Sequence, residues 1–211
     1  INIQPEELID YELGWKYNSE KFFFNSNLYY MGYKNQLVLT GALDDVGSPI
    51  RENSGKSYRM GIELESVYKA TNKLNISANI SLSENKNVDY KTNYNGVITD
   101  WGDTDISFSP NVISSAGIQF IASQDLTLTL LNKFVGNQYM SNTESNISML
   151  SSYSTTDLNI LYTIKNSAYF SEIIVTAMIN NIFNKEYVSN GYYYTYDDTW
   201  SDPNLITTIE G

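Results

Sequence analysis

Three polar stretches hold the residues best suited to contact a ligand. Residues 83–109 carry Asp100, Trp101, Asp103 and Asp105, and residues 135–152 carry Tyr139. Residues 188–211 carry Tyr192, Tyr193, Tyr194, Tyr196 and Trp200, with Asp197, Asp198 and Asp202. Flat aromatic side chains on loops could stack on a chelate or a sugar, and Tyr and Trp are enriched at recognition surfaces. The competing reading is loop-on-loop packing or an interfacial belt. Clustered carboxylates could hold Ca²⁺, which takes several oxygen ligands. The spacing of Asp100, Asp103 and Asp105 matches no Ca²⁺ loop, so a solvated acidic surface is the simpler reading. The chain has no Cys and no His. That excludes thiol chemistry, Cys/His zinc sites, proximal-His haem ligation and His-based triads. No carboxylate pair of the kind a glycosidase uses can be singled out. Neither an enzyme nor a cofactor is expected. A net charge of −11 argues against nucleic acid, whose phosphates need a basic footprint.

The elements between these stretches read as strands. In 8–17, Ile9, Tyr11, Leu13, Trp15 and Tyr17 alternate with Asp10, Glu12, Gly14 and Lys16. Strict period two is a strand signal. Similar alternation recurs over 22–38, 58–68, 74–82, 110–120, 126–134 and 156–164. It is cleanest at Leu74, Ile76, Ala78, Ile80 and Leu82 against Asn75, Ser77, Asn79 and Ser81. The run Ile173–Tyr187 reads as one further strand, β-branched at its start and ending Asn-Asn-Ile-Phe-Asn-Lys-Glu-Tyr. Its faces are ambiguous; Val175, Ala177 and Ile179 are assigned to the apolar side.

About eight strands result, joined alternately by short turns and long polar loops, with aromatics near both strand ends. Those are features of an antiparallel transmembrane β-barrel. A soluble β-sandwich binding module with one wet face explains the alternation equally well but the turn asymmetry less well. The polar faces place Glu12, Arg59, Glu63, Glu65 and Lys133 on the wall, expected as salt-bridged wall or plug contacts. Both chain ends fall on the long-loop side, so further strands are expected before Ile1 and after Gly211. Residues 1–211 alone are not expected to insert stably, because open edges leave backbone groups unpaired in lipid.

Four segments then carry a resemblance. Ile3–Gly14, with its Pro-Glu and Tyr-Glu-Leu-Gly, resembles a segment in the barrel of TonB-dependent outer-membrane receptors. Gly61-Ile62-Glu63-Leu64-Glu65, Phe108-Ser109-Pro110 and Asn180–Tyr187 are similar to later signatures of that family, in the same order. The resemblance implies that residues 1–211 are the C-terminal portion of a plugged barrel of about 22 strands, lacking the plug and the final strand. It implies a multi-pass protein of the bacterial outer membrane, in contact with outer-membrane lipid. It also implies import of a scarce nutrient such as a ferric siderophore complex, a small metal chelate. Energy would reach it from the TonB complex through the absent plug. A glycan or peptide importer working with a surface lipoprotein is the alternative within this architecture.

Overall fold

The computed structural model describes residues 4–43, 46, 48–94, 97–165, 169–198 and 207–210. The chain runs β1 (Glu7–Asn18), β2 (Phe22–Lys34), β3 (Leu37–Leu43), β4 (Pro49–Asn53), β5 (Lys56–Thr71), β6 (Leu74–Tyr94) and β7 (Val97–Asp105). It continues through β8 (Val112–Ile121), β9 (Leu126–Val135), β10 (Gln138–Tyr139), a 3₁₀ turn (Asn146–Ser148) and β11 (Met149–Leu150). It ends with β12 (Tyr153–Lys165), β13 (Glu172–Ile179), β14 (Thr195–Asp198) and β15 (Thr207–Glu210). Nine of these strands form one sheet, ordered β1-β2-β5-β6-β8-β9-β12-β13 with β7 on β6, and its pairings are antiparallel; β3–β4, β10–β11 and β14–β15 are separate two-stranded sheets.

Register turns the local alternation into two continuous faces. Leu13 pairs with Leu28, Leu28 with Ile62 and Ile62 with Leu82. Ile118 pairs with Leu130, Leu130 with Leu158, and Leu158 with Ile179. Because side chains point to opposite faces in turn, all of these lie on one side. The opposite face carries Glu12, Asn27, Glu63, Ser81, Ser115, Lys133 and Asp157. Asn75 bonds to Gln119 across it at 2.9 Å and Asn79 to Ser115 at 2.8 Å.

Among the described residues nothing covers the apolar face: Leu13 is 70% exposed, Trp15 60% and Ile179 50%. Among the described residues no second sheet packs on either face, which removes the β-sandwich. The sheet is open, since β1 and β13 do not pair. A single layer that is apolar on one side and polar on the other is the wall of a barrel in lipid. Aromatics border that wall. Trp15, Tyr17, Phe22 and Phe24 stack at the short-turn end, and Tyr30 lies on Tyr58 at 6.2 Å at the other.

Three segments differ from the sequence expectation. The first and second long loops contain hairpins β3–β4 and β6–β7, and β6 runs twelve residues past Leu82, where its apolar alternation ends. Ile173–Tyr187 is a strand only to Ile179. Asn181 and Asn184 there take left-handed φ of 50° and 49°, which Asn tolerates and a strand does not.

Candidate functional site

The few fully buried side chains lie among the long loops. Tyr90 and Asn87 on β6, and Asn142 and Ser148 between β10 and β11, are almost wholly buried, with Ile106 and Leu150 beside them in exposure. Polar bonds clasp these segments together. Asn87 donates to Thr104 Oγ1 at 3.3 Å and to Asn142 Oδ1 at 3.2 Å. Asn142 Oδ1 also accepts the Ser107 N–H at 2.9 Å. The Phe108 N–H donates to the Tyr139 carbonyl at 2.8 Å, with Phe108 at φ 54°. Lys86 bridges Asp105 at 2.7 Å and Glu144 at 3.5 Å. Burial pushes the Lys86 ammonium down, but its hydrogen bond to Asp105 and the charges of Asp105 and Glu144 outweigh that and raise it.

Tyr139 is thereby fixed on a hairpin braced against the segment after β7. The chain beyond β13 returns to the same hairpin, since a Cβ on Gly191 would meet Met140 Sδ at 2.7 Å and Leu150 Cδ2 at 4.0 Å. Tyr192 follows at once, 81% exposed and stacked on Tyr194 at 6.1 Å; Tyr193 is half-buried beside them. The fold thus gathers Tyr139, Tyr192, Tyr193 and Tyr194 at one end of the sheet. Trp101 is positioned apart, on β7, where its Nε1–H donates to Thr92 Oγ1 at 2.9 Å. Trp200 and Asp202 lie outside the described residues, as do the side chains of Tyr196, Asp197 and Asp198.

The Ca²⁺ candidates are separately engaged. Asp100 pairs with Lys91 at 2.8 Å and accepts the Gly102 N–H at 3.0 Å. The Lys91 hydrogen bond, followed by that N–H, holds the Asp100 carboxyl below its ordinary range. Asp103 accepts the Asp89 N–H at 3.0 Å, and Asp105 meets Lys86. Among the described residues no three carboxylates converge on a metal position.

Among the described residues none of Glu12, Arg59, Glu63, Glu65 and Lys133 forms an ion pair. Glu12 accepts from Asn27 at 3.3 Å. Arg59 donates to Asn85 Oδ1 at 3.2 Å and Ser109 Oγ at 2.8 Å. Sequence reasoning missed the buried polar residues Asn87, Tyr90, Asn142 and Ser148, because nothing in a polar run marks which of its members will be covered.

A groove of about 710 Å³ crosses β1, β2, β5 and β6, lined by Tyr11, Leu13, Leu28, Tyr30, Met60 and Leu82. It belongs to the apolar face and so suits hydrocarbon rather than a polar ligand. The polar face and the loop cluster are left as the surface for a dissolved one.

A family model described as TonB dependent receptor-like, beta-barrel matches residues 1–182. No curated protein matches in sequence. Solved structures do match in fold. A structure titled copper transporter OprC has a TM-score of 0.66 and 18% identity, covering 88% of this chain and 26% of that one. The siderophore receptor PiuA from Acinetobacter baumannii gives 0.65 and 19%, covering 89% and 25%. The ferric yersiniabactin uptake receptor FyuA from Yersinia pestis gives 0.62 and 18%, covering 90% and 26%. The chain therefore spans about a quarter of the length of these structures.

Proposed function

The chain belongs to the TonB-dependent receptor-like β-barrel family, bacterial outer-membrane proteins, and from that premise we propose that it forms the C-terminal part of a receptor wall that imports a scarce nutrient. The cargo on this reading is a ferric siderophore complex, taken up with energy delivered through TonB by other parts of the protein. The observation that carries the reading is the one-layer wall, with lipid on its apolar side and a lumen on its polar side. That wall is topped at one end by loops presenting Tyr139, Tyr192, Tyr193 and Tyr194. Stacking on these rings suits a flat or bulky chelate. Trp101 on β7 is proposed as a further contact, as is Trp200, which lies outside the described residues. Neighbours named as siderophore receptors support the cargo class.

Growth of a strain carrying the intact gene as its sole high-affinity iron route tests this. Rescue by at least one defined ferric siderophore, lost on deleting the gene or its TonB partner, is expected. Unchanged growth on every iron source after deletion would overturn it. The exposed Tyr192–Tyr194 stack also suits a sugar face, which keeps a glycan importer with a lipoprotein partner as the second reading. Co-purification of a surface lipoprotein with the intact barrel would favour that reading.

A further inference from the structure

Two lysines stand side by side on the apolar face of the wall. Lys34 ends β2, Lys56 opens β5, and the two are cross-strand partners. Register places both on the side of Leu28 and Ile62 rather than in the lumen. Like charges directly opposite on neighbouring strands repel. One carboxylate, Glu7 on β1, answers them at 3.2 Å from Lys34 Nζ, and that pair is exposed. Lys86, on the same face of β6, is engaged by Asp105 and Glu144. β2, β5 and β6 each have strands on both flanks. The strands around this outward patch are therefore all in place, and a plug inside the lumen cannot reach it.

Below the lysines the surface changes in two steps. Tyr30 and Tyr58 stack first. Gly32, between Tyr30 and Lys34 on the same face, leaves room for the Tyr30 ring, whose Cε1 would lie 3.2 Å from a Cβ there. Next comes the groove lined by Leu13, Leu28, Met60 and Leu82. Glu84, also in its lining, is engaged with Tyr58. Four residues of strand, about 13 Å, separate the Tyr30 level from Lys34. Aromatic rings of this kind mark the headgroup level of a bilayer. Lysine stems run along apolar surface and lift their ammoniums into the polar layer. The long-loop end of such a barrel is its outer end.

We infer that Lys34 and Lys56 hold the phosphate of an outer-leaflet lipid, with an acyl chain of that lipid lying in the groove across β1, β2, β5 and β6. An anion relieves the repulsion between the two ammoniums, and clustered cations at a membrane surface attract anionic headgroups. The groove takes hydrocarbon. A molecule that carries both a phosphate and an aliphatic tail meets both surfaces at once, whereas dissolved phosphate meets only the first. The inference rests on membership of the barrel family and not on the cargo.

Native mass spectrometry of the intact, detergent-extracted receptor is the test. The probes are phosphatidic acid and the diacylglycerol with the same chains, added in equal amounts. Wild type should retain phosphatidic acid over diacylglycerol by about tenfold, the scale of two ammoniums beside a charged headgroup. The double variant Lys34→Gln/Lys56→Gln should bring that ratio close to one, while Lys34→Arg/Lys56→Arg keeps it. Lys91→Gln, at a loop lysine paired with Asp100, should leave it unchanged. Met60→Ala should weaken retention of both lipids alike. An unchanged ratio in the double glutamine variant would overturn the inference. An equal fall in Lys91→Gln would do so too, by assigning the preference to overall charge. Displacement of phosphatidic acid by an equal concentration of inorganic phosphate would reduce the pair to a plain anion site, and undiminished retention in Met60→Ala would remove the groove; either sinks the lipid assignment. Iron uptake is not read, so failure here leaves the import reading standing, and the converse holds.

Discussion

Gly61 shows how closely neighbouring strands approach in this wall. A Cβ there would collide with the Leu82 carbonyl oxygen and lie 2.9 Å from Tyr29 Oη and 3.0 Å from Ser83 Cα. Tyr29 is the cross-strand partner of Gly61 and lays its ring where a side chain would otherwise stand. Gly61→Ala is therefore expected to lower barrel stability by about 1–3 kcal/mol, the usual cost of forced overpacking. Gly14→Ala is the control, because its nearest neighbours lie at 3.7 and 3.8 Å. Urea unfolding of the intact barrel, followed by gel mobility without heating, should separate the two variants; equal midpoints would contradict the steric argument. Arg59 belongs to the same scale. The sequence placed it on the lumenal face by parity, but only the structure shows that its partners are neutral.

Among the elements, the end of β13 is set by side-chain bonds rather than by apolar pattern. Asp157 accepts the Asn181 N–H at 2.7 Å, and the Asn181 side chain donates to the Lys185 carbonyl at 3.0 Å and accepts the Lys185 N–H at 2.9 Å. Asn181→Ala removes the two bonds to Lys185, keeps the backbone N–H bond to Asp157 and puts alanine at positive φ, at an expected cost of about 1–3 kcal/mol. Hydrogen exchange of residues 180–187 in the intact protein should rise, with β12 unaffected; uniform protection would refute this. The loop hairpins make a second prediction. Burial pushes the Glu52 carboxyl above its ordinary range, and burial with the Glu52 charge raises the Tyr90 phenol. Among the described residues neither Glu52 Oε1 nor Tyr90 Oη has a hydrogen-bond partner. With the folded value above the unfolded one, the fold favours protonated Glu52, and that contribution is lost as pH rises through the folded value. Glu52→Gln should therefore slow exchange in β4 and β6 near neutral pH. Below about pH 4, where the carboxyl is protonated in both states, the difference should vanish. A difference that grows on acidification would reverse the sign and sink the account.

For the molecule as a whole, the decisive property is a sheet with two unlike solvents. Ala177 pairs with Ile160 and so shares the face of Leu158, Tyr162 and Ile179, whereas Thr176 pairs with Leu161 on the lumenal side. The register thus assigns β13, whose own sequence is apolar on both faces. Ala177→Arg should cost about 2–4 kcal/mol if it meets the bilayer near its midplane, and Thr176→Arg much less. Folding yield of the intact barrel into vesicles measures this, and equal yields would remove the face assignment.

By itself the amino-acid sequence determined the strand class, the two faces of most strands and the alternation of short and long connections. Those are local properties. A period of two is written into consecutive residues, and turn residues declare themselves within a few positions. It also singled out Tyr139, Tyr192, Tyr193 and Tyr194, the contacts proposed above, though not their convergence. Tertiary structure alone decided the length of β6, whose polar extension survives by pairing with β7 after the apolar pattern has ended. It decided the faces of β13, the stop at Ile179 and the neutral setting of Arg59. Each depends on partners distant in sequence: Ile160 for Ala177, Asp157 for Asn181, and Ser109, fifty positions away, for Arg59. Composition and spacing carry no record of such pairings, because cross-strand register and loop packing are set only when the strands align and close against one another.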